Sequence, residues 1–187
     1  MGAAGKFVAI CWVCIVVLWL FSALSVKRTK ERQPLLGRLI YIGLMVVAAV
    51  LLNGALPKTY LTRVLIPQTL GTGILADAIV LAGFVIAVWA RVVLGGNWSS
   101  LVTVKENHEL IERGPYRLVR HPIYSGLLLM ILGTAVLAGQ TGGFVALLIC
   151  FFGFWLKLRQ EQALLTRHLP GYSAYMARTK ALVPFVF

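Results

Sequence analysis

The stretch Ile123–Leu158, IYSGLLLMILGTAVLAGQTGGFVALLICFFGFWLKL, decides the fold. Two apolar runs, Ile123 to Ala138 and Gly143 to Leu158, flank Gly139-Gln140-Thr141-Gly142-Gly143. Glycine-rich sequence of this kind makes tight turns. The two runs therefore predict an antiparallel helical hairpin. Three more apolar runs lie upstream: Phe7–Leu24, Leu39 to about Leu56, and Ala78–Leu94. Each is near the length that crosses a bilayer core as a helix.

Composition agrees. The 187 residues are 59% hydrophobic and only 13% charged, with mean hydropathy +0.86. A soluble domain is about a quarter charged, so an ordinary soluble protein is excluded, as is a disordered chain. The three cysteines, Cys11, Cys14 and Cys150, all lie inside apolar runs and read as small buried hydrophobes. No residues have metal-ligand spacing, and no metal is expected.

The net charge of +12 comes from 18 Lys and Arg against 6 acids. Fifteen of those cations fall in three segments: 25–38, Arg91 to Arg120, and the chain from Lys157 onward. Only Lys6, Lys58 and Arg63 lie elsewhere. With five spans all three rich segments share one side of the membrane. Cytoplasmic loops collect Lys and Arg, so the N-terminus is expected outside and the C-terminus in the cytoplasm. A nucleic-acid partner does not require this alternation, and none is expected. The reading is an all-α, multi-pass integral membrane protein, one domain over 1–187. Residues 1–93 hold three spans and 94–187 hold the chemistry. Lys27-Arg28 directly follows the first run, which reads as an uncleaved span. Asp77 reads as the acidic start of span three, where a helix dipole favours it.

The polar chemistry concentrates between Leu94 and Gly126. Two of three histidines and three of six acids lie there. In Arg120-His121-Pro122-Ile123-Tyr124, Pro122 suits the first helical position, where a missing N–H costs nothing. The helix start then offers free N–H groups to an anion. Arg120 adds a bidentate fork, and His121 can donate or accept near neutral pH. The same residues would also serve as headgroup anchors. In the tail, Glu161 is the only acid of the last third. Leu164, Leu165, Leu169, Tyr172, Tyr175 and Met176 recur at helical intervals, predicting an amphipathic helix interrupted at Pro170-Gly171. The hairpin brings Glu161 near His121 and Tyr124. No dinucleotide-binding glycine pattern is present, so no Rossmann domain is expected.

The order of these pieces resembles the isoprenylcysteine carboxyl methyltransferase family and its phospholipid N-methyltransferase relatives. The resemblance is carried by Leu94-Gly95-x-x-Trp98-Ser99, His108-x-Leu110-Ile111-x-x-Gly114-Pro115-Tyr116-Arg117-x-Val119-Arg120-His121-Pro122-x-Tyr124-x-Gly126, Glu161, and Tyr172-x-x-Tyr175-x-x-Arg178-Thr179. It covers about 94–187. It departs at Glu161-Gln162, where the family often has two glutamates.

The resemblance implies an S-adenosylmethionine-dependent methyltransferase acting on a lipophilic or prenylated acceptor. The cofactor site would comprise His108, Leu110, Gly114, Tyr116, His121, Pro122, Tyr124 and Glu161. The start of span four, with Arg120 or His121, would meet the cofactor carboxylate, Glu161 its amine or ribose, and His108 and the Leu110 backbone its adenine. Tyr116 and Tyr124 would wall the pocket. Arg178 or Arg117 would aim an acceptor carboxylate, whereas an amine acceptor would need His121 as base. Arg120, His121 and Arg178 are the expected catalytic groups. The sequence leaves open a phospholipid amine as acceptor, an NADPH-dependent membrane reductase, and a non-enzymatic membrane ligand-binding protein.

Overall fold

The computed structural model describes residues 2–23, 29–32, 35–52, 60–98, 103–105 and 109–184. Five longer helices build a bundle: α1 (Ala3–Ala23), α2 (Leu35–Leu52), α3 (Leu70–Leu94), α4 (Pro122–Ala138) and α5 (Thr141–His168). A short α6 (Tyr172–Arg178) follows. Three of these helices, α1, α3 and α5, are long and apolar enough to cross a membrane; α4 and Leu39–Leu52 of α2 are shorter apolar helices.

The expected hairpin is α4–α5. Gly139 ends α4 in the left-handed region at φ +65°, where a side chain would be strained. A Cβ there would also meet the Ile66 carbonyl at 2.4 Å. That contact belongs to a second turn. Leu65 and Ile66 donate backbone N–H groups to the Gly139 carbonyl, and Thr141 donates to Arg63. The α2–α3 connection and the α4–α5 turn thus share one end of the bundle. At the other end, β1 (Thr29–Arg32) pairs antiparallel with β2 (Thr103–Lys105), and Arg120 and His121 donate N–H groups to the carbonyls of Lys180 and Ala181. The three cation-rich segments therefore meet at one end.

Small residues let α3 and α4 touch. A Cβ on Gly83 would stand 2.5 Å from the Gly126 carbonyl, and one on Gly126 would stand 2.6 Å from the Gly83 carbonyl. Gly133 meets Val80 and Ala76 in the same way. Close backbone approach of this type gains dispersion contact where water supplies no driving force. The core of the bundle includes Ile15, Ala48, Val80, Ala87, Met130 and Phe154, drawn from all five helices. Trp12 ties α1 to α4 through Thr134 at 3.0 Å.

The helical fold is as expected, with a short two-stranded ribbon, β1–β2, beside it; two short polar segments so far apart in sequence carry no periodic signal. Three expectations are corrected. Span three begins at Leu70, not Ala78, because Thr69 and Thr72 form a reciprocal capping box that starts it earlier. Asp77 consequently lies two turns inside α3, not at its start, with Oδ1 buried and unpartnered among the described residues. The first part of the expected amphipathic helix is not separate from span five: α5 continues unbroken through Glu161 to His168, about 42 Å at 1.5 Å per residue, and the second part is α6. The break expected at Pro170-Gly171 is present, with Gly171 at φ +83°. Cys11 and Cys150 are buried as expected, while Cys14 is exposed.

Candidate active site

Four residues of α5, Phe154, Lys157, Glu161 and Leu165, line one side of a cavity of about 400 Å³. That volume suits a small-molecule ligand. Their spacing of three and four residues keeps them on one helix face. They extend over about 16 Å of helix length. The rest of its lining mixes apolar side chains, including Val16, Trp19 and Leu20 of α1 and Leu127 of α4, with the polar and aromatic Arg120, His121, Tyr116, Tyr172 and Tyr175.

The centre of the site is an aromatic stack. Tyr124 lies between His121, centroids 5.3 Å apart at 9°, and Phe154, 5.1 Å apart at 8°. The Tyr124 hydroxyl donates to Glu161 Oε2 at 2.8 Å. The same oxygen is 3.8 Å from His121 Nδ1. Pro122 produces this arrangement locally. It sits at the first position of α4, with His121 as the residue before it, so the imidazole leaves the helix start toward α5.

His121 is buried, and burial pulls its pKa down to about 4, with Glu161 opposing the fall. It is thus neutral near pH 7. Gln162 contacts its other nitrogen, Nε2 to Nε2 at 3.1 Å. An amide nitrogen can only donate, so His121 Nε2 accepts and its proton sits on Nδ1, facing Glu161. Burial also raises Tyr116, Tyr172 and Tyr175, the last to about 12. All three therefore remain neutral phenols.

The cavity gathers Leu110, Tyr116, Arg120, His121, Tyr124 and Glu161. Gly114 and Pro122 are not in its lining. Gly114 holds a positive-φ turn against Val93 and Trp89 of α3, and Pro122 is fully buried behind the site. His108 lies outside the described residues. Arg178 is not in the lining either. It pairs with Glu112, and its side chain is 59% exposed. Arg117 is exposed and also absent from the lining. Arg120 reaches the cavity, yet its guanidinium donates to the carbonyls of Met176, at 3.0 Å, and Thr179. It caps α6 and so fixes the tail over the site.

Sequence reasoning missed Lys157 and the contact of Gln162. Lys157 is buried, with Nζ 4.7 Å from the Tyr41 ring centroid and 5.3 Å from that of Tyr124. Its position four residues before Glu161 was a usable signal, because i and i+4 share a face.

The donor set suits a zwitterionic adenosyl cofactor. Glu161 accepts, His121 and the phenols offer polar edges, and aromatic faces line the walls. Two cavity-lining residues also carry buried polar atoms without partners among the described residues, Asn97 Oδ1 and Arg120 Nε. Buried polar groups normally find partners, so these atoms mark positions a polar ligand would satisfy.

Comparison with known proteins agrees. The phospholipid methyltransferase family matches residues 72–170, and the chain belongs to that family. It is similar to a probable protein-S-isoprenylcysteine O-methyltransferase of Oryza sativa subsp. indica, 31% identical over 111 residues, which are 57% of this chain and 58% of that one. Protein-S-isoprenylcysteine O-methyltransferase B of Arabidopsis thaliana is 27% identical over 57% of this chain and 56% of its own. Cobalt-zinc-cadmium resistance protein CzcN of Cupriavidus metallidurans is 31% identical over 49% of this chain and 43% of its own. The chain thus spans about half the length of the curated relatives it matches.

Proposed function

We propose that the chain is a five-span, single-domain membrane methyltransferase that uses S-adenosylmethionine at the cytoplasmic face. Its acceptor is lipophilic, with the carboxylate of an isoprenylcysteine-like compound the favoured group. The observation that carries this reading is the Tyr124–Glu161 hydrogen bond beside neutral His121, inside a cavity whose lining also includes apolar side chains of α1 and α4. Family membership and the isoprenylcysteine methyltransferase relatives support the chemistry. The clustering of cation-rich segments at one end of the bundle supports the orientation, N-terminus outside and C-terminus in the cytoplasm.

S-adenosylmethionine supplies an electrophilic methyl on a sulfonium. The protein's part is positioning, which supplies most of the rate in a displacement of this kind. Glu161 would hold the amine or a ribose hydroxyl, and Tyr124 fixes the direction of that carboxylate. The start of α4, next to His121, would receive the cofactor carboxylate. Leu110 would lie against the adenine, with Tyr116 and Tyr124 as walls. Tyr172 and Tyr175, both buried, line the cavity and would help exclude water. A lipophilic acceptor would enter from the bilayer side, past α1 and α2.

A second reading, methylation of a phospholipid amine, is favoured by the family matched over 72–170. His121 could then take the amine's proton at Nε2 once its contact with Gln162 opens. Transfer of labelled methyl from S-adenosylmethionine into organic-extractable products tests both readings. A methyl ester labile to base marks a carboxylate acceptor, and a stable product marks an amine. No transfer to either class, by protein that is well folded, would contradict the proposal.

A further inference from the structure

We infer that Asn97 is a specificity residue for the methyl acceptor: its carboxamide pairs with a neutral secondary amide that the acceptor carries beside its carboxylate. This deepens the methyl-transfer reading and rests on it.

The argument begins with an unmade bond. Asn97 closes the short turn Gly95–Asn97 that follows α3, and it is 7% exposed. It lines the cavity. Its Oδ1 is buried and has no hydrogen-bond partner among the described residues. An unpaired buried carbonyl oxygen bears its full desolvation cost. A ligand that brings an N–H or O–H to this wall removes that cost.

The second element is place. The next residue, Trp98, stacks on Trp19 of α1, with centroids 6.2 Å apart at 29°. Asn97 thus stands where the end of α3 meets α1. Val16 and Leu20, on either side of Trp19, also line the cavity, yet they are 50% and 67% exposed. They belong to a helix apolar enough to cross a membrane, so their outer surface meets lipid. Side chains that face both lipid and cavity mark where a membrane-borne acceptor gains the site. Among the described residues that line the cavity from α1, α3 and this turn, Asn97 alone carries a side-chain hydrogen-bond acceptor.

The third element is charge. Arg91 of α3 donates to the carbonyls of Gly95 and Ser22, each at 2.9 Å. Its Cζ lies 4.5 Å from the centroid of the Trp98 ring. It therefore grips the turn on both sides of Asn97, and a guanidinium stays charged. A fixed cation there repels a protonated amine and leaves a neutral donor as the match. A carboxamide is both donor and acceptor, and so is a secondary amide. The two complement each other whichever way the Asn97 side chain is turned. In an isoprenylcysteine-like acceptor that amide is the acylated nitrogen, one carbon from the carboxylate.

The test is equilibrium binding to the full chain in detergent. The probes are two acids: N-acetyl-S-farnesylcysteine, and S-farnesyl-3-thiopropionic acid, which lacks the amide. Wild type, Asn97→Ala and Asn97→Asp are compared, S-adenosylhomocysteine is titrated in parallel, and each protein is melted without ligand. Expected in wild type is a preference for the amide-bearing acid of roughly three- to tenfold, the worth of one neutral hydrogen bond. That preference should survive in Asn97→Asp, which keeps an oxygen acceptor, and vanish in Asn97→Ala. Asn97→Ala should bind the amide-free acid and S-adenosylhomocysteine as wild type does, and its melting should change little, since Oδ1 has no bond to lose. Equal binding of the two acids by wild type, no binding of either, a preference intact in Asn97→Ala, or one lost in Asn97→Asp would overturn the inference. So would a fall in S-adenosylhomocysteine affinity alone in Asn97→Ala, which would assign the oxygen to the cofactor. An early-melting Asn97→Ala that loses every ligand would overturn it too, by making the residue structural. If wild type binds no S-adenosylhomocysteine yet keeps an Asn97-dependent amide preference, the methyl-transfer reading fails and the amide site stands.

Discussion

The Tyr124 hydroxyl on α4 donates to Glu161 Oε2 on α5 at 2.8 Å, closing the open end of the helical hairpin. Thirty-seven residues separate the two, and the turn at Gly139 brings them together. The pair joins the fold to the chemistry, because the same tyrosine stacks on His121 and Phe154.

Tyr124→Phe removes that hydroxyl and keeps the ring stack. A hydrogen bond to a charged group contributes about 1.5–3 kcal/mol. S-adenosylhomocysteine affinity should therefore fall roughly ten- to hundredfold, and the thermal midpoint should fall by several degrees as well. Calorimetric titration beside a melting curve checks both.

The low pKa of His121 has a consequence for stability. The unfolded imidazole takes a proton near pH 6.5, the folded one only near 4. Between those values the unfolded state binds more protons, so stability falls as pH drops from 6.5 toward 4. The loss is on the order of 3 kcal/mol. Thermal midpoints across this window should fall in the wild type and fall less in His121→Asn, which isolates the histidine from the carboxylates.

Gln162 donates to His121 Nε2 and so favours a neutral ring. Gln162→Glu places an acceptor there and stabilises the doubly protonated form. The folded pKa then rises toward the unfolded value, so the acid-side loss of stability should shrink. An unchanged pH profile would show that Gln162 does not set the state of the ring.

Arg120 and Arg178 should separate cleanly. Arg178→Ala breaks an exposed ion pair with Glu112, which contributes at most about 1 kcal/mol, and S-adenosylhomocysteine binding should persist. Arg120→Ala uncaps α6 and loosens the tail over the site, so binding should weaken. Limited proteolysis of the tail, faster only in Arg120→Ala, checks the cause.

Gly83→Leu and Gly133→Val test the α3–α4 contact. Side chains there would enter backbone atoms of the facing helix. Overpacking costs typically about 1–3 kcal/mol, and more where the obstacle is backbone, so both variants should melt earlier in detergent than Gly43→Ala, which has open space.

The hairpin, the start of α4 at Pro122 and the meeting of His121, Tyr124 and Glu161 were legible in the sequence. Each rests on local chemistry, namely glycines at a turn, a proline at a helix start and one acid after an apolar run. What depends on distant partners was not legible. β1 and β2 pair across a long separation, and Arg120 finds its carbonyls only once α6 is in place. Lys157 was hidden by its surroundings, because a lysine at the end of an apolar run reads as an anchor reaching for headgroups. Only the packing of Tyr41 and Tyr124 around it turns it into a wall of the cavity.

The central claim is that this cavity binds an adenosyl cofactor through Glu161. Calorimetric titration of the detergent-purified protein with S-adenosylhomocysteine, with NADPH as comparison ligand, tests it directly. The account expects micromolar binding of S-adenosylhomocysteine, lost in Glu161→Ala, and none of NADPH. Binding of NADPH alone, or S-adenosylhomocysteine binding that Glu161→Ala leaves intact, would contradict it.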